Sequence, residues 1–213
     1  MTTTPDDVLT FWFPPGLDEP RTFAAQFPRW FGGGPDLDRE IEARFGDAVR
    51  AARAGELDAW AATPRGRLAL VVLLDQFSRN LYRGRAEAFA ADARCRALVA
   101  EGLARGDEHT YGTAERLFFW MAYGHSEDLA LQSQAVGAIE QLALEASEAL
   151  RPVLLFVVRI ARSHLVAIAR FGRNPQRNEA LGRPTTAEER AYLAIQSHLP
   201  GPQDDLRRLM QSL

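Results

Sequence analysis

Residues 64–81 read PRGRLALVVLLDQFSRNL, and this stretch decides the fold. Thr63-Pro64 reads as a helix start, because proline fits the first helical position. From Leu68 to Leu74 the chain is apolar on every side, so the predicted helix is central and buried rather than amphipathic. It changes abruptly to DQFSRN, ending at about Leu81. Asp75 and Arg79 lie at i and i+4, on one side of that helix. A buried carboxylate needs a cation, and Arg79 is one turn away.

The flanking sequence predicts more helices. Toward the N-terminus, Asp36 or Asp38 is expected to cap an amphipathic helix that ends at Gly55. Ile41, Phe45, Ala48, Val49 and Ala52 fall on one of its faces. Glu56 to Ala62 reads as a short helix. Thr4, Pro5, Asp6 and Asp7 start the first helix, which Pro14-Pro15-Gly16 stops after Phe11, Trp12 and Phe13. A loop-rich segment then leads to Trp30, Phe31 and Gly32 to Gly34, with aromatics placed to fold it back over the domain.

Toward the C-terminus, Phe89 to Arg105 forms a helix closed by Gly106, and Thr113 starts ERLFFWMAY, which ends at Gly124. Ser126 is expected to cap the next helix, with Glu127 and Asp128 in its first turn. Pro152 opens a helix running to about Phe171, with Gly172 as a left-handed cap. Thr185 and Glu188 read as a capping box for a last helix. Pro200-Gly201-Pro202 detaches a short polar tail. No segment alternates long enough to argue a strand, and no fixed-period repeat is visible. The expected fold is all-α, built from antiparallel helix pairs, with one domain over residues 1–199 and a tail over 200–213.

Composition narrows the function classes. The chain has 213 residues, 46% of them hydrophobic, which suits one substantial core. A net charge of −3 gives no nucleic-acid signature. All 25 basic residues are arginine, which lowers the meaning of any single one. The lone Cys95 rules out an internal disulfide and fits a cytoplasmic protein. The N-terminus has no signal-peptide character, and apolar runs such as PVLLFVV are too short to span a bilayer, so no membrane partner is expected. The sequence does not indicate an oligomeric state.

The chemical candidates gather at helix ends. Phe171 to Arg183, FGRNPQRNEALGR, crowds Arg173, Arg177 and Arg183 with Asn174 and Asn178 into a loop broken by Gly172, Pro175 and Gly182. Arginine forks suit carboxylate or phosphate, so the loop reads as an anion site or an ion-pair hub. GHSED adds His125 and Glu127, an acid–base pair if they act together; the plainer alternative is a structural histidine beside a cap. Asp75, Arg79 and Asn80 likewise read either as ligand-binding or as a structural ion pair. His164, flanked by Ile160, Ala161, Ala167, Ile168 and Phe171, reads as a core histidine. Arg159, Arg162, Arg170 and Arg173 share a different face of the same helix. No phosphate loop, dinucleotide fingerprint or nucleophile elbow is present, so no cofactor is expected. Of the four histidines only His125 and His164 are plausible ligands, too few for a closed zinc site, and no metal is expected.

Taken in order, Trp12-Phe13, Trp30-Phe31, LDQFSRN, HSEDL and H…FGRxPxRNxxLGR resemble a bacterial family catalogued as domain of unknown function 924. The resemblance covers about Pro5 to Leu199. It implies an all-α, tetratricopeptide-like superhelical fold and no established activity. Asn174 stands where the family usually has phenylalanine, and Gln176 where it usually has histidine. These departures favour binding or structure over a shared histidine-dependent reaction, or else point to altered substrate choice.

Two functions remain open on the sequence. In one, Arg79, His125, Glu127, Arg173 and Arg177 cluster despite their separation. With Asp75, Asn80, Asn178 and Arg183 they hold a small anionic ligand, while His125 and Glu127 move a proton. In the other, the chain is a scaffold for a peptide or protein, and the motifs form an internal polar network that locks the helices.

Overall fold

The helix grammar read at the N-terminus is realised. Pro5 occupies the first helical position, and Thr4 Oγ1 accepts from the Asp7 N–H. In return, the Asp7 carboxylate accepts from the Thr4 N–H at 2.8 Å. The structure, a computed structural model, describes residues 3–198. The tail expected over 200–213 lies outside the described residues. In chain order the α-helices are α1 (Pro5–Trp12), α2 (Pro20–Phe27), α3 (Pro35–Ala54), α4 (Pro64–Val71), α5 (Ser78–Leu81), α6 (Asp92–Arg105), α7 (Thr113–Gly124), α8 (Leu129–Glu145), α9 (Arg151–Phe171) and α10 (Ala187–His198). Among the described residues there is no strand, so the protein is all-α.

Several boundaries differ from the sequence reading. The segment after Gly16 holds α2 and a π-helical turn, Pro28–Gly32, rather than loop alone. Gly34 precedes α3 and Pro35 opens it; Asp36 and Asp38 lie in its first turn and do not cap it. The stretches before α4 and α6 are 3₁₀ turns, Asp58–Ala62 and Ala86–Phe89. The helix read over 64–81 is continuous but not uniform: Val72–Phe77 is a π-helical turn between α4 and α5. There the Ser78 N–H reaches the Leu73 carbonyl, five residues back. Ser78 Oγ donates to the same carbonyl at 3.1 Å, so a side chain supports the widened turn.

The chain gathers into two compact units. The first comprises the chain up to Leu17 and Gly33–Ala122; the second comprises Asp18–Gly32 and the chain from Tyr123. In the first, the rod 64–81 is the centre, as its apolar sequence demands. Every residue from Gly66 to Ser78 is buried. The helices α1 and α6 pack on α4, and α3 packs on the π turn and α5. The Phe77 ring centre lies 5.4 Å from that of Trp12 and 5.2 Å from that of Phe45. Trp12 in turn meets Phe118 edge-on at 5.6 Å, the arrangement that aromatic quadrupoles favour.

Arg67 is one of several polar residues sealed inside this apolar packing. It is 1% exposed and is satisfied on every side. It donates to Asp107 at 2.8 Å, to Glu101 at 2.9 Å and to the Ala61 carbonyl at 2.7 Å. Gly102 makes room for it: a Cβ there would stand 2.8 Å from Arg67 Cδ and 2.7 Å from the Phe119 ring.

In the second unit α8 and α9 pack along each other, joined by residues 146–150. The buried side of α9 carries Val153, Leu154, Phe156, Val157, Val158, Ala161, Ala167 and Ile168. Phe27 of α2 meets Phe156 at 5.6 Å, and Tyr192 of α10 meets Phe171 at 5.2 Å. These rings hold the short elements onto the helix pair, and the two that are buried, Phe27 and Phe156, contribute about 1.5–3 kcal/mol each.

Candidate functional site

The GHSED turn is built differently from its sequence reading. Asp128, not Ser126, caps α8. Its Oδ1 accepts from the N–H groups of Ala130 and Leu131 at 2.8 and 3.0 Å. Ser126 Oγ accepts from the Asp128 N–H at 3.0 Å, one step upstream. Glu127 therefore stands outside the helix, with its carboxylate free to reach elsewhere.

It reaches the loop after α9. Gly172, at φ 66, ends that helix in the left-handed region, and Gly182, at φ 62, makes a second bend. Glycine takes such positive angles without the steric cost a Cβ would bring. Between the two, Asn174 Oδ1 accepts from the Gln176 N–H at 3.0 Å, and Pro175 opens a 3₁₀ turn over Pro175–Arg177. The Arg183 N–H closes the loop onto the Asn178 carbonyl at 2.8 Å. This rigid frame aims Arg183 at Glu127: Nη1 donates to Oε2 at 2.7 Å and Nη2 to Oε1 at 2.9 Å. The Asn174 N–H adds a third donor to Glu127 at 2.8 Å. Arg183 also donates to the Asn174 carbonyl at 3.0 Å and to Asn178 Oδ1 at 3.1 Å.

A second bidentate pair lies beside the first. The capping box expected at Thr185 and Glu188 falls one residue later, at Thr186 and Glu189. The Glu189 N–H donates to Thr186 Oγ1 at 3.1 Å, and the Thr186 N–H to Glu189 Oε2 at 2.8 Å. Glu189 also takes both arms of Arg173, at 2.7 and 2.9 Å, while Arg173 reaches the Pro184 carbonyl at 2.8 Å. Asn178, 1% exposed, is shared between the two pairs, with Nδ2 3.3 Å from Glu189. Arg177 donates from Nη2 to the His125 carbonyl.

The electrostatics follow from these bonds. For Glu127, burial opposes the charge, but the bonds from Arg183 and Asn174 outweigh it and hold the carboxyl below its usual range. Arg173, with the Thr186 N–H, pulls Glu189 down to about 2. Burial lowers the His164 imidazole to about 4, aided by the positive fields of His125 and Arg177. A carboxylate or imidazole so depressed is a weak proton acceptor at neutral pH.

The remaining sequence candidates belong to the first unit and make their polar contacts there. Arg79 bridges two aspartates, Asp75 at 2.8 Å and Asp92 at 3.0 Å, and its guanidinium lies 5.6 Å from the Phe89 ring centre. Burial opposes the Arg79 charge, yet the two aspartates more than offset it. Cys95, pushed up by burial and by Asp75, stays a thiol. Asn80 donates to Asp38 at 2.7 Å, and Arg83 takes the same carboxylate with two bonds of 2.8 Å. The sequence candidates thus fall into two sets. His125, Glu127, Arg173, Arg177, Asn178 and Arg183 form one; Asp75, Arg79 and Asn80 form the other.

Asp92, Glu189 and the Arg67–Asp107 pair were not singled out from sequence, and Asp38 was read there as a helix cap rather than as the partner of Asn80 and Arg83. Of those not singled out, only Glu189 had a signal there, in the ambiguous register of TTAEE. Among the described residues no group of three or more His, Cys, Asp or Glu side chains is arranged to hold a metal ion. An open depression of about 360 Å³ lies on α3, lined by Thr3, Glu42, Arg44, Gly46 and Asp47 among others, and none of the motif residues lines it.

Comparison with known proteins is consistent with this picture. No functionally curated protein matches the chain. A solved structure, a protein of unknown function, ATU0120, from Agrobacterium tumefaciens, is similar at a TM-score of 0.72 and 35% identity, over 89% of this chain and 96% of that one. The family model described as bacterial protein of unknown function (DUF924) matches residues 8–197. With nearly its whole length matched and its motifs placed in the fold, the chain belongs to the DUF924 family of bacterial proteins of unknown function.

Proposed function

We propose that this protein is a helical scaffold that binds a peptide or protein segment, and that its signature motifs are an internal polar lock rather than a catalytic centre. One observation carries the reading: the loop arginines best suited to an anion are occupied by the chain's own carboxylates. Arg183 spans both oxygens of Glu127, and Arg173 both oxygens of Glu189. An incoming anion has to displace a bidentate, charge-assisted pair. The depressed Glu127 is also a poor general base. The tetratricopeptide-like architecture implied by the motifs suits partners docked on helix faces.

The test is a random-peptide display selection on the immobilised protein, with affinities of the selected peptides measured by calorimetry. Saturable micromolar binding that survives Arg177→Ala supports the scaffold. Failure of repeated selections to give a saturable binder counts against it.

A second reading is a small-anion site at Arg177, whose Nη2 donates to the His125 carbonyl, a neutral acceptor that an anion can outcompete. A thermal-shift series with phosphate, sulfate and citrate separates the two. A midpoint rise in the wild type that Arg177→Ala abolishes supports the anion site.

A further inference from the structure

The outward side of α9 carries a pattern that the polar lock does not use. Arg151, Leu155, Arg159, Arg162, Val166 and Arg170 recur at steps of three and four residues, so they line one side of the helix. All six are exposed, Leu155 at 49% and Val166 at 57%. α9 contains no acidic residue, so the helix itself makes this row basic. Arg162 pairs with Glu140 and Arg170 with Glu188, each at 2.7 Å, while Arg159 lies over the Phe156 ring at 5.5 Å. By length and composition α9 is apolar enough to cross a membrane, with a mean hydropathy of 1.7 in its most apolar window, yet only 44% of that window is buried. Packing inside the unit thus accounts for only part of its apolarity.

We infer that this row is a docking face for an acidic amphipathic helix of a partner protein, an inference that rests on the scaffold reading. Leu155 and Val166 are three turns apart, about 16 Å along the axis. That spacing receives two apolar anchors of a facing helix. Carboxylates beside those anchors meet Arg159 and Arg162. Exposed pairs such as Arg162–Glu140 are weak and screened, so they exchange partners readily. A helix fits better than an anionic bilayer. The apolar residues form a single row, which one face of a helix matches and a broad lipid surface does not.

The experiment uses the full chain and fluorescence anisotropy. The probe is a synthetic Glu/Leu peptide with leucines at i, i+4, i+7 and i+11, with a scrambled peptide and phosphatidylglycerol vesicles as controls. The expected result is saturable binding at least tenfold tighter than that of the scrambled peptide. Leu155→Glu with Val166→Glu, both at exposed positions and checked for unchanged circular dichroism, weakens it at least tenfold. Equal binding of the scrambled peptide, unchanged affinity in the double variant, vesicle binding without peptide binding, or no binding at all overturns the inference. Peptides from the random selection that bind the double variant as tightly as the wild type leave the scaffold standing and remove only this face.

Discussion

Arg183 and Glu127 lie 56 residues apart in sequence and meet through two parallel hydrogen bonds, of 2.7 and 2.9 Å. The pair ties the turn before α8 to the loop after α9. Both side chains keep roughly a quarter of their surface in solvent, 22% for Arg183 and 28% for Glu127. The bond is therefore neither a surface pair worth almost nothing nor a fully desolvated one.

A double-mutant cycle measures that bond. Arg183→Gln is expected to cost about 2 kcal/mol, in the range for hydrogen bonds to charged groups. Arg183→Lys retains only part of this, because lysine cannot make the two-armed contact. Urea denaturation of Glu127→Gln, Arg183→Gln and the double variant should give a coupling of about 1–2 kcal/mol. Additivity within about 0.3 kcal/mol would show that the pair contributes nothing to the lock.

Acid should destabilise the protein in two stages. His164 is held at about 4, below the ordinary value of 6.5, so the unfolded chain binds the proton more readily. Its contribution is fully present above about pH 6.5 and is lost as pH falls toward 4. Glu189 is held at about 2 against 4.5, so its contribution is present above 4.5 and is lost between there and 2. Thermal midpoints against pH should fall through both windows. His164→Leu should flatten the first, and Glu189→Gln the second. A His164 ring titrating near its ordinary value by NMR refutes the first part.

The Asp75–Arg79–Asp92 bridge is the more deeply buried one, with Asp75 at 1% exposure. Asp75→Ala removes one of two anions facing a buried guanidinium and should cost about 3–5 kcal/mol, a large share of a typical domain stability. Denaturant titration of Asp75→Ala and Arg177→Ala, with and without phosphate, tests this together with the anion-site reading. A loss below about 1 kcal/mol in Asp75→Ala would mean that Asp92 alone satisfies Arg79.

Two helical glycines should answer oppositely to alanine. At Gly66 a new Cβ meets the main-chain carbonyl of Trp60, which cannot swing away. Gly66→Ala should therefore lose about 3 kcal/mol. At Gly46 the nearest atoms are the flexible ends of Glu42, at 2.8 Å, and Arg50, at 3.0 Å. There, inside α3, alanine should gain about 0.5 kcal/mol through helix propensity. Equal melting shifts for the two variants would contradict this contrast.

Much of the helix plan was legible because it depends on local signals. Thr4-Pro5, the apolar run 68–74, and the glycines 55, 106 and 172 each act within one or two turns, and the structure uses them as read. Glu127 was misplaced because two acids follow Ser126 and either register gives a plausible cap. Only the distant Arg183 shows that Glu127 is needed outside the helix. Arg67 went unread for a similar reason: its partner Asp107 is 40 residues away. The π turn has no composition of its own. VLLDQF reads as ordinary helix, and the wider turn is visible only once Ser78 is seen on the Leu73 carbonyl.

That wider turn has a consequence for sequence length. A π turn houses about one residue more than an α turn spanning the same rise, so residues 72–77 behave like a helix into which one position has been inserted. Deleting one residue there should let the rod close as plain α-helix without breaking. Because the extra residue is taken up within the one widened turn, everything downstream would keep nearly its present angular phase. Arg79 would still face Asp92, and Asn80 and Arg83 would still face Asp38, whereas a deletion in the plain α-helix of α4 would rotate all three away by about 100°. The bulge is thus the one place in the rod where a residue can be lost without changing the angle between its apolar half and its polar end.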